Sequence, residues 1–310
     1  MRVLVMGSGG VGGFYGAALA HSGHDVTFVA RGPHLKALRE RGLEVRSGGQ
    51  VRVLNPVSAI ASPADASGEF DLVLFTVKTY DTDAAAEALK PVVGSNTAIL
   101  PLQNGVESVE RLSPYVGAAH VLAGTTIIIA RIVGPGVIEE TGPLRRITFG
   151  DPSGDVTPRL EAIATALREA GVDVIVSRDT TRTLWEKFAP LAAHATITSA
   201  CGTSLGPIRD LAEGKDLYRT MIREASQVGR AAGAALPAEF EDGIFAFLMS
   251  IPPDAQSSLQ RDYERRHRVE LEQLTGTIVR LGRELGVATP SFDALYPVLK
   301  VRALAFDGLN

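Results

Sequence analysis

Lys187 interrupts an otherwise apolar stripe in the stretch Thr183–Gly202, TLWEKFAPLAAHATITSACG. Residues three and four apart share a helix face, and the residues on this face are Leu184, Lys187, Phe188, Leu191 and Ala195. Partial burial lowers the pKa of an ammonium toward neutrality, which suits it to general acid catalysis. Such a group could stabilise and then protonate the oxyanion of a ketone under reduction. The alternative is a lysine whose stem packs on the helix while its amine stays in water.

Glu270 occupies a similar position on a later predicted helix. It extends by one turn the apolar stripe formed by Leu274, Ile278, Leu281 and Leu285. A carboxylate and an ammonium on buried helix faces are plausible mutual partners, so Glu270 is the candidate partner of Lys187. A purely structural ion pair would give the same pattern, and both interpretations stay open.

A glycine-rich motif near the start of the chain fits G-x-G-x-x-G. Its residues are Gly7, Ser8, Gly9, Gly10, Val11 and Gly12. The motif lies between a predicted strand, Arg2–Met6, and a predicted helix, Phe14–His21, which is the setting of a dinucleotide-binding loop. The glycines permit a tight turn and close approach to a pyrophosphate, which the helix N-terminus faces. The alternative is a glycine-rich turn without a ligand.

Arg31 follows the second predicted strand, Asp25–Ala30, nineteen residues beyond Gly12. Enzymes that select NAD usually place a carboxylate there, whereas a guanidinium suits the 2′-phosphate of NADP. The sequence therefore predicts NADP, unless Arg31 is exposed and uninvolved. Lys78 and Asn104 follow two further predicted strands, at the sheet edge where ligands bind; either could also be a plain loop residue.

The elements that must position these residues change in character along the chain. Up to about residue 180, continuously apolar runs alternate with helical patterns, as in a parallel sheet covered on both faces. Two later segments, Val137–Glu140 and Arg146–Phe149, are predicted to form an edge hairpin. Beyond about residue 180 helical periodicity dominates. The sequence predicts an α/β fold with an N-terminal Rossmann-type doubly wound sheet (residues 1–178) and a C-terminal all-helical domain (residues 179–310).

Composition excludes several classes of protein. The 310 residues carry a formal net charge of −4, with 45% hydrophobic and 21% charged residues. No basic block is present, so we expect no nucleic-acid partner. One cysteine, Cys201, excludes an internal disulfide and a thiol-rich metal site. The short apolar run before Gly7 does not fit a signal peptide, and no stretch is long enough to span a bilayer, so we expect a cytoplasmic protein.

Taken together, the motifs resemble those of the 2-dehydropantoate 2-reductase (ketopantoate reductase) family over nearly the whole chain. They are GSGGVG at 7–12, Arg31, VKTYDT from Val77, QNG at 103–105, GTT at 124–126, LWEK at 184–187, SSLQRD at 257–262, and Glu270 eight residues after Asp262. The resemblance implies a Rossmann domain, a helical domain and an active site between them. It also implies NADPH-dependent reduction of 2-dehydropantoate to (R)-pantoate, in the pathway to pantothenate and coenzyme A.

The resemblance also assigns roles to individual residues. Lys187 would be the catalytic lysine, and Ser258 would contact the substrate carboxylate. The residues that would contact NADP or border the active site are Gly7–Gly12, Arg31, Lys78, Asn104, Ala130 and Glu270.

The chain departs from the family at polar positions that face the substrate. Family members usually have asparagines four and eight residues beyond the lysine, where this chain has Leu191 and Ala195. Two further frequently polar positions are Leu205 and Ala255. His194, almost on the face of Lys187, could replace a lost polar contact with substrate, or could simply be a packed or solvent-facing histidine.

Three hypotheses follow. The first is an NADPH-dependent 2-oxo acid reductase, with 2-dehydropantoate as the expected substrate. The second is a paralogue that reduces a more apolar 2-oxo acid or related carbonyl. The third is an NADP-binding regulatory protein without turnover, against which Lys187, Ser258 and Glu270 argue because a sensor needs no proton donor. The sequence does not set the oligomeric state, and a homodimer stays open.

Overall fold

The computed structural model describes residues 1–142 and 144–309. Contacts divide the chain into two compact units. The N-terminal unit comprises Met1–Gln103 and Glu107–Thr183, and the helical unit comprises Asn104–Val106 and the chain from Leu184 onward. The short loop Asn104–Val106 thus groups with the helical unit although it lies early in the sequence. The division predicted at residues 178/179 stays a prediction.

The regular elements follow in chain order. The strands are β1 (Arg2–Met6), β2 (Asp25–Val29), β3 (Leu43–Ser47), β4 (Gln50–Leu54), β5 (Ser58–Ile60), β6 (Leu72–Phe75), β7 (Ala98–Pro101), β8 (Ala123–Ile127), β9 (Ala130–Gly134), β10 (Val137–Glu140), β11 (Arg146–Gly150) and β12 (Asp173–Val176). The helices are α1 (Gly10–His21), α2 (Gly32–Arg41), α3 (Thr82–Leu89), α4 (Ser108–Val116), α5 (Pro158–Glu169), α6 (Thr180–Cys201), α7 (Leu205–Asp210), α8 (Ala212–Ala231), α9 (Phe240–Ser250), α10 (Ser258–Glu264), α11 (Thr277–Glu284) and α12 (Pro290–Leu304).

A five-stranded parallel sheet forms the centre of the N-terminal unit. Its strand order is β5-β2-β1-β6-β7, and every neighbouring pair is parallel. Val3, Leu4 and Val5 of β1 are fully buried, which explains why the strand is apolar from Val3 to Met6. The chain leaves β1 toward β2 on one side and resumes at β6 on the other, so the loop after β1 lies at the topological switch point where such sheets bind ligands. The predicted doubly wound architecture is confirmed.

Two smaller sheets complete the N-terminal unit, with orders β4-β3-β10-β9 and β12-β11-β8. The predicted hairpin between Val137–Glu140 and Arg146–Phe149 is wrong, because β10 and β11 lie in different sheets. Pro135 and Gly136 make a two-residue connection that pairs β10 with β9, and β3 occupies the other edge of β10. No edge of β10 remains for β11, which pairs with β8 and β12 instead.

The helical unit is built around α6, which carries the stretch with Lys187. Trp185, Phe188 and Ala192 of α6 are buried in a core that also contains Tyr218 and Met221 of α8. Among the described residues after Val176, every regular element is a helix, so the predicted all-helical C-terminal domain is confirmed. A π-helical segment, Glu272–Gly276, directly precedes α11. No helix among the described residues is long and apolar enough to cross a membrane.

Candidate active site

The glycine-rich loop joins β1 to α1 and has the shape of a phosphate cradle. Gly7 adopts a φ of +102°, a conformation that favours glycine. A Cβ at Gly10 would lie 2.2 Å from the backbone oxygen of Ala130, so no larger residue fits there without backbone movement. At Gly9, by contrast, a Cβ would meet nothing within 4 Å, so this part of the loop is open to a ligand.

The start of α1 is suited to an anion. Its N-cap is Gly9, no side chain caps the helix, and no acidic residue lies in its first turn. The first amides of a helix lack intrahelical partners and lie at the positive end of the helix dipole, so they attract phosphate. The loop and the helix start therefore fit the pyrophosphate of a dinucleotide.

The remaining predicted cofactor contacts lie at different places in the N-terminal unit. Arg31 follows β2 closely and is exposed, and its side chain has no polar partner among residues 1–142 and 144–309. Lys78 is exposed three residues after the end of β6. Ala130 begins β9 and approaches the glycine loop through its backbone oxygen. The role predicted for Arg31 toward a 2′-phosphate stays a prediction.

Lys187 has a polar partner within the helical unit. Its Nζ donates a hydrogen bond of 3.0 Å to Oδ1 of Asn104. Burial lowers the pKa of Lys187 to about 8, and the negative charge of Glu270 opposes that shift. The ammonium is thus charged at neutral pH but close to its pKa, as a general acid requires. The alternative of an amine left in water does not fit this environment.

Glu270 is 5% exposed and lies two residues before the first residue of the π-helical segment, Glu272. Its backbone oxygen accepts a hydrogen bond from the amide of Leu274, while the amide of Gly276 bonds back to Leu271 in the wider π pattern. Single π turns are frequent at functional sites. The carboxylate and Lys187 are electrostatically coupled, so the helical unit brings the two sequence candidates together.

His194 is 9% exposed, and its Nδ1 lies 3.0 Å from the hydroxyl of Tyr218. Burial, assisted by the positive charge of Arg261, lowers the pKa of His194 to about 4, so the ring is neutral at physiological pH. Sequence reasoning did not single out Tyr218. The available signal was a tyrosine on the buried face of α8, because a buried hydroxyl needs a hydrogen-bond partner.

The two serines at the start of α10 differ in environment. Ser258, the predicted substrate contact, is only partly buried and is the first residue of the helix. Ser257 is 5% exposed; its Oγ lies 3.0 Å from the hydroxyl of Thr198 and accepts a hydrogen bond from the amide of Gln260. Ser257 therefore caps the helix, while Ser258 is the more exposed of the two residues.

The four apolar replacements divide into two groups. Leu205 is fully buried and Ala195 is 1% exposed, so both belong to the core of the helical unit. Leu191 and Ala255 are partly exposed. Because Leu191 lies one turn beyond Lys187 on α6, it is the replacement best placed to contact a molecule held by the lysine.

Comparisons with known proteins agree with this geometry. The sequence model of "Ketopantoate reductase PanE/ApbA" matches residues 3–154, and that of its C-terminal domain matches residues 179–303. A 2-dehydropantoate 2-reductase from Archaeoglobus fulgidus is 32% identical, over 92% of this chain and 92% of its own. An uncharacterised oxidoreductase from Bacillus subtilis, YkpB, is 30% identical over 97% and 98%. The solved structure of a PanE/ApbA family ketopantoate reductase from Ralstonia eutropha matches with a TM-score of 0.91 at 29% identity, covering 99% of this chain and 100% of that one.

The fold and these relatives define an oxidoreductase of a family that uses a nicotinamide cofactor on a small molecule. The chain belongs to the ketopantoate reductase family.

Proposed function

We propose that the protein reduces a 2-oxo acid to a 2-hydroxy acid with NADPH, and that its substrate is 2-dehydropantoate, which gives (R)-pantoate. The observation that carries the proposal is the 3.0 Å hydrogen bond from Lys187 to Asn104, made by an ammonium whose pKa is lowered to about 8. A partly buried proton donor of this kind has no use in a protein that only senses the cofactor. The named relatives support the substrate, since several are 2-dehydropantoate 2-reductases.

The N-terminal unit would hold the cofactor. The amides at the start of α1 and the open side of Gly9 would bind the pyrophosphate, and Arg31 would bind the 2′-phosphate that distinguishes NADP from NAD. Lys78, Asn104, Ala130 and Glu270 are proposed to border the bound cofactor or the reacting groups. When bound, NADPH supplies a hydride for the carbonyl carbon.

Lys187 would complete the reduction at the carbonyl oxygen. As negative charge develops on that oxygen, the ammonium stabilises it and then transfers a proton, which leaves a neutral hydroxyl and a neutral amine. Asn104 accepts one N–H of the ammonium and so limits the directions in which the other two can point. Glu270 keeps the pKa of Lys187 from falling further, so the lysine still carries its proton at neutral pH.

The proposed recognition of the substrate rests on Ser258, with His194 as a second candidate contact. The hydroxyl of Ser258, a partly exposed residue, would bind the carboxylate of the 2-oxo acid. The alternative is a substrate with an apolar side chain, and the specific observation that favours it is Leu191, whose side chain offers no hydrogen bond one turn beyond Lys187.

The test is a direct assay with the purified full chain. We expect NADPH to be oxidised in the presence of 2-dehydropantoate and chiral chromatography to identify (R)-pantoate. A panel of apolar 2-oxo acids, assayed alongside, would favour the alternative if one of them shows the higher kcat/KM. The Lys187→Ala variant, purified identically, controls for contaminating reductases. NADPH binding without turnover of any carbonyl compound would contradict the reductase and favour a regulatory protein.

A further inference from the structure

The hydroxyl of Tyr218 is enclosed in the core of the helical unit. Tyr218 is fully buried among apolar side chains, and burial raises the pKa of its hydroxyl, so the group keeps its proton. Among the described residues the only hydrogen-bond partner of this hydroxyl is Nδ1 of His194. A buried hydroxyl that did not donate its proton would carry a large penalty, so Tyr218 donates and Nδ1 accepts.

This hydrogen bond determines which nitrogen of His194 carries the proton. The pKa of His194 is lowered to about 4, so at neutral pH the ring holds a single proton. With Nδ1 acting as the acceptor, that proton lies on Nε2. His194 therefore presents an uncharged N–H donor whose orientation Tyr218 fixes from behind.

The Nε2 atom of the ring is not fully enclosed. No described residue forms a hydrogen bond with Nε2, and the atom is not among the fully enclosed polar atoms of the described residues that lack a partner. It must therefore reach accessible space, although the residue as a whole is only 9% exposed. The donor is available to a bound molecule.

Lys187 and His194 lie two turns apart on the same side of α6. Seven residues of helix separate them by roughly 10 Å along the axis, and because helical side chains generally lean toward the helix N-terminus, a separation of the same order is expected between their polar ends. Each donor lies about 3 Å from the oxygen it binds. A molecule bridging both donors would thus present two oxygens about 4–5 Å apart, with an apolar portion over Leu191.

We propose that His194, held by Tyr218, donates its Nε2–H to a hydroxyl oxygen on the side chain of the 2-oxo acid while Lys187 binds the ketone oxygen. The inference rests on the proposed function and deepens it: this chain selects hydroxylated 2-oxo acids with a neutral histidine. His194 is a specificity residue, and Tyr218 is a positioning residue that acts through it. A side-chain hydroxyl two carbon atoms beyond the ketone carbon meets the spacing.

Two substrates that differ by one oxygen test the proposal. They are 2-dehydropantoate, which is 4-hydroxy-3,3-dimethyl-2-oxobutanoate, and 3,3-dimethyl-2-oxobutanoate, which lacks the hydroxyl. With NADPH at saturation, Tyr218→Phe should raise KM for the hydroxylated substrate about tenfold and change kcat little, the scale expected for one hydrogen bond. The same variant should leave KM for the other substrate within about twofold. His194→Ala should abolish the preference for the hydroxylated substrate. His194→Gln, which retains an N–H donor, should keep part of that preference.

Tyr263→Phe is the matched control. Tyr263 is also buried in the helical unit, but its hydroxyl donates to the backbone oxygen of Leu299, so its loss should not change the ratio of the KM values for the two substrates.

Calorimetric titration provides a readout without turnover. Pantoate, and the analogue that lacks its side-chain hydroxyl, are titrated into the protein with NADP⁺, and thermal melts show whether each variant is folded. The proposal would be overturned if Tyr218→Phe raised KM equally for both substrates, or if His194→Ala left the ratio of the two KM values unchanged. Either result would leave the proposed reductase activity intact. Absence of turnover in the wild type with every 2-oxo acid would instead reject the proposed function.

Discussion

The candidate cofactor site and the candidate catalytic site of this chain consist of different kinds of groups. In the N-terminal unit the loop after β1 and the first turn of α1 offer backbone amides, glycines and one exposed guanidinium. In the helical unit the site consists of buried and partly buried side chains, and Lys187, Glu270 and His194 all depend on partners distant in sequence. The first site needs only local geometry, whereas the second exists only once the helices have packed.

This difference determines how each site responds to substitution. A backbone site loses affinity in proportion to the contact removed, because its amides persist whichever side chain is changed. A buried site loses function in larger steps, because removing one partner leaves the other without compensation.

The largest effect is expected at Lys187. Lys187→Ala should lower kcat by roughly 10²–10⁴-fold, the usual contribution of a general acid, while binding of NADPH changes little. Single-turnover kinetics and a fluorescence titration with NADPH would measure the two quantities separately. Lys215→Ala, at an exposed position on α8, is the control and should keep full activity. A Lys187→Ala variant with near-normal kcat would reduce the lysine to a structural role.

A smaller effect is expected at Arg31 in the N-terminal unit. Arg31→Ala should weaken NADPH binding by about 1–3 kcal/mol, the scale of a hydrogen bond to a charged group, and leave NADH nearly unchanged. Calorimetry with both cofactors would give the difference. Arg52→Ala removes another exposed arginine without a polar partner in the described chain and should affect neither. If both cofactors lost affinity equally in Arg31→Ala, Arg31 would not be the group that distinguishes them.

The same contrast explains what could be predicted from the sequence. The glycine loop, β1 and Arg31 were predictable because their geometry is local: four apolar residues (residues 3–6), a glycine motif and one cation follow each other along the chain. The fold class followed from the change between continuous apolar runs and helical periodicity. Lys187 and Glu270 could be singled out because a charge interrupts an apolar stripe.

What the sequence could not provide were contacts between distant segments. Apart from the family resemblance, which assigned both residues to the cofactor or the active site, no local pattern indicates that Asn104 would accept a hydrogen bond from Lys187, 83 residues away. No pattern indicates that Tyr218 would form a hydrogen bond with His194. The hairpin predicted between Val137–Glu140 and Arg146–Phe149 was wrong for the same reason. One edge of β10 pairs with β3, which lies almost a hundred residues earlier in the chain. Strand pairing and side-chain partners depend on tertiary packing, which local patterns do not encode.

The buried histidine should also affect stability. Because its pKa is lowered from 6.5 to about 4, His194 binds its proton more readily in the unfolded chain than in the folded one. The contribution of the neutral His194 ring to the free energy of unfolding is therefore fully present above pH 6.5 and is lost as pH falls toward 4. Between pH 7 and pH 5 the free energy of unfolding should fall by about 2 kcal/mol. Urea unfolding at both pH values should show that loss in the wild type and a smaller one in His194→Gln. The exposed His21→Gln should behave like the wild type; an equal pH dependence in His194→Gln would show that the ring is not kept neutral.

The smallest effect is expected from the charge of Glu270. Reduction needs the protonated form of Lys187, so the rate should be highest below the lysine pKa of about 8 and fall as pH rises through it. Glu270 raises that pKa, so Glu270→Gln, which keeps the shape and removes the charge, should move the alkaline limb of the pH–rate profile to lower pH. Rates at saturating NADPH between pH 6 and pH 10 would locate the limb.

The control for that shift is Glu284→Gln, which removes an exposed carboxylate of α11 from its ion pair with Arg280. Its limb should coincide with that of the wild type, because an exposed charge is screened by water and salt. If the alkaline limb stays in place in Glu270→Gln, a group other than Glu270 sets the pKa of Lys187. The charges of Glu270 and Lys187 would then interact more weakly than the structure indicates. A shift in the expected direction, with kcat at low pH preserved, would instead separate the two roles: Lys187 delivers the proton, and Glu270 sets the pH at which it can.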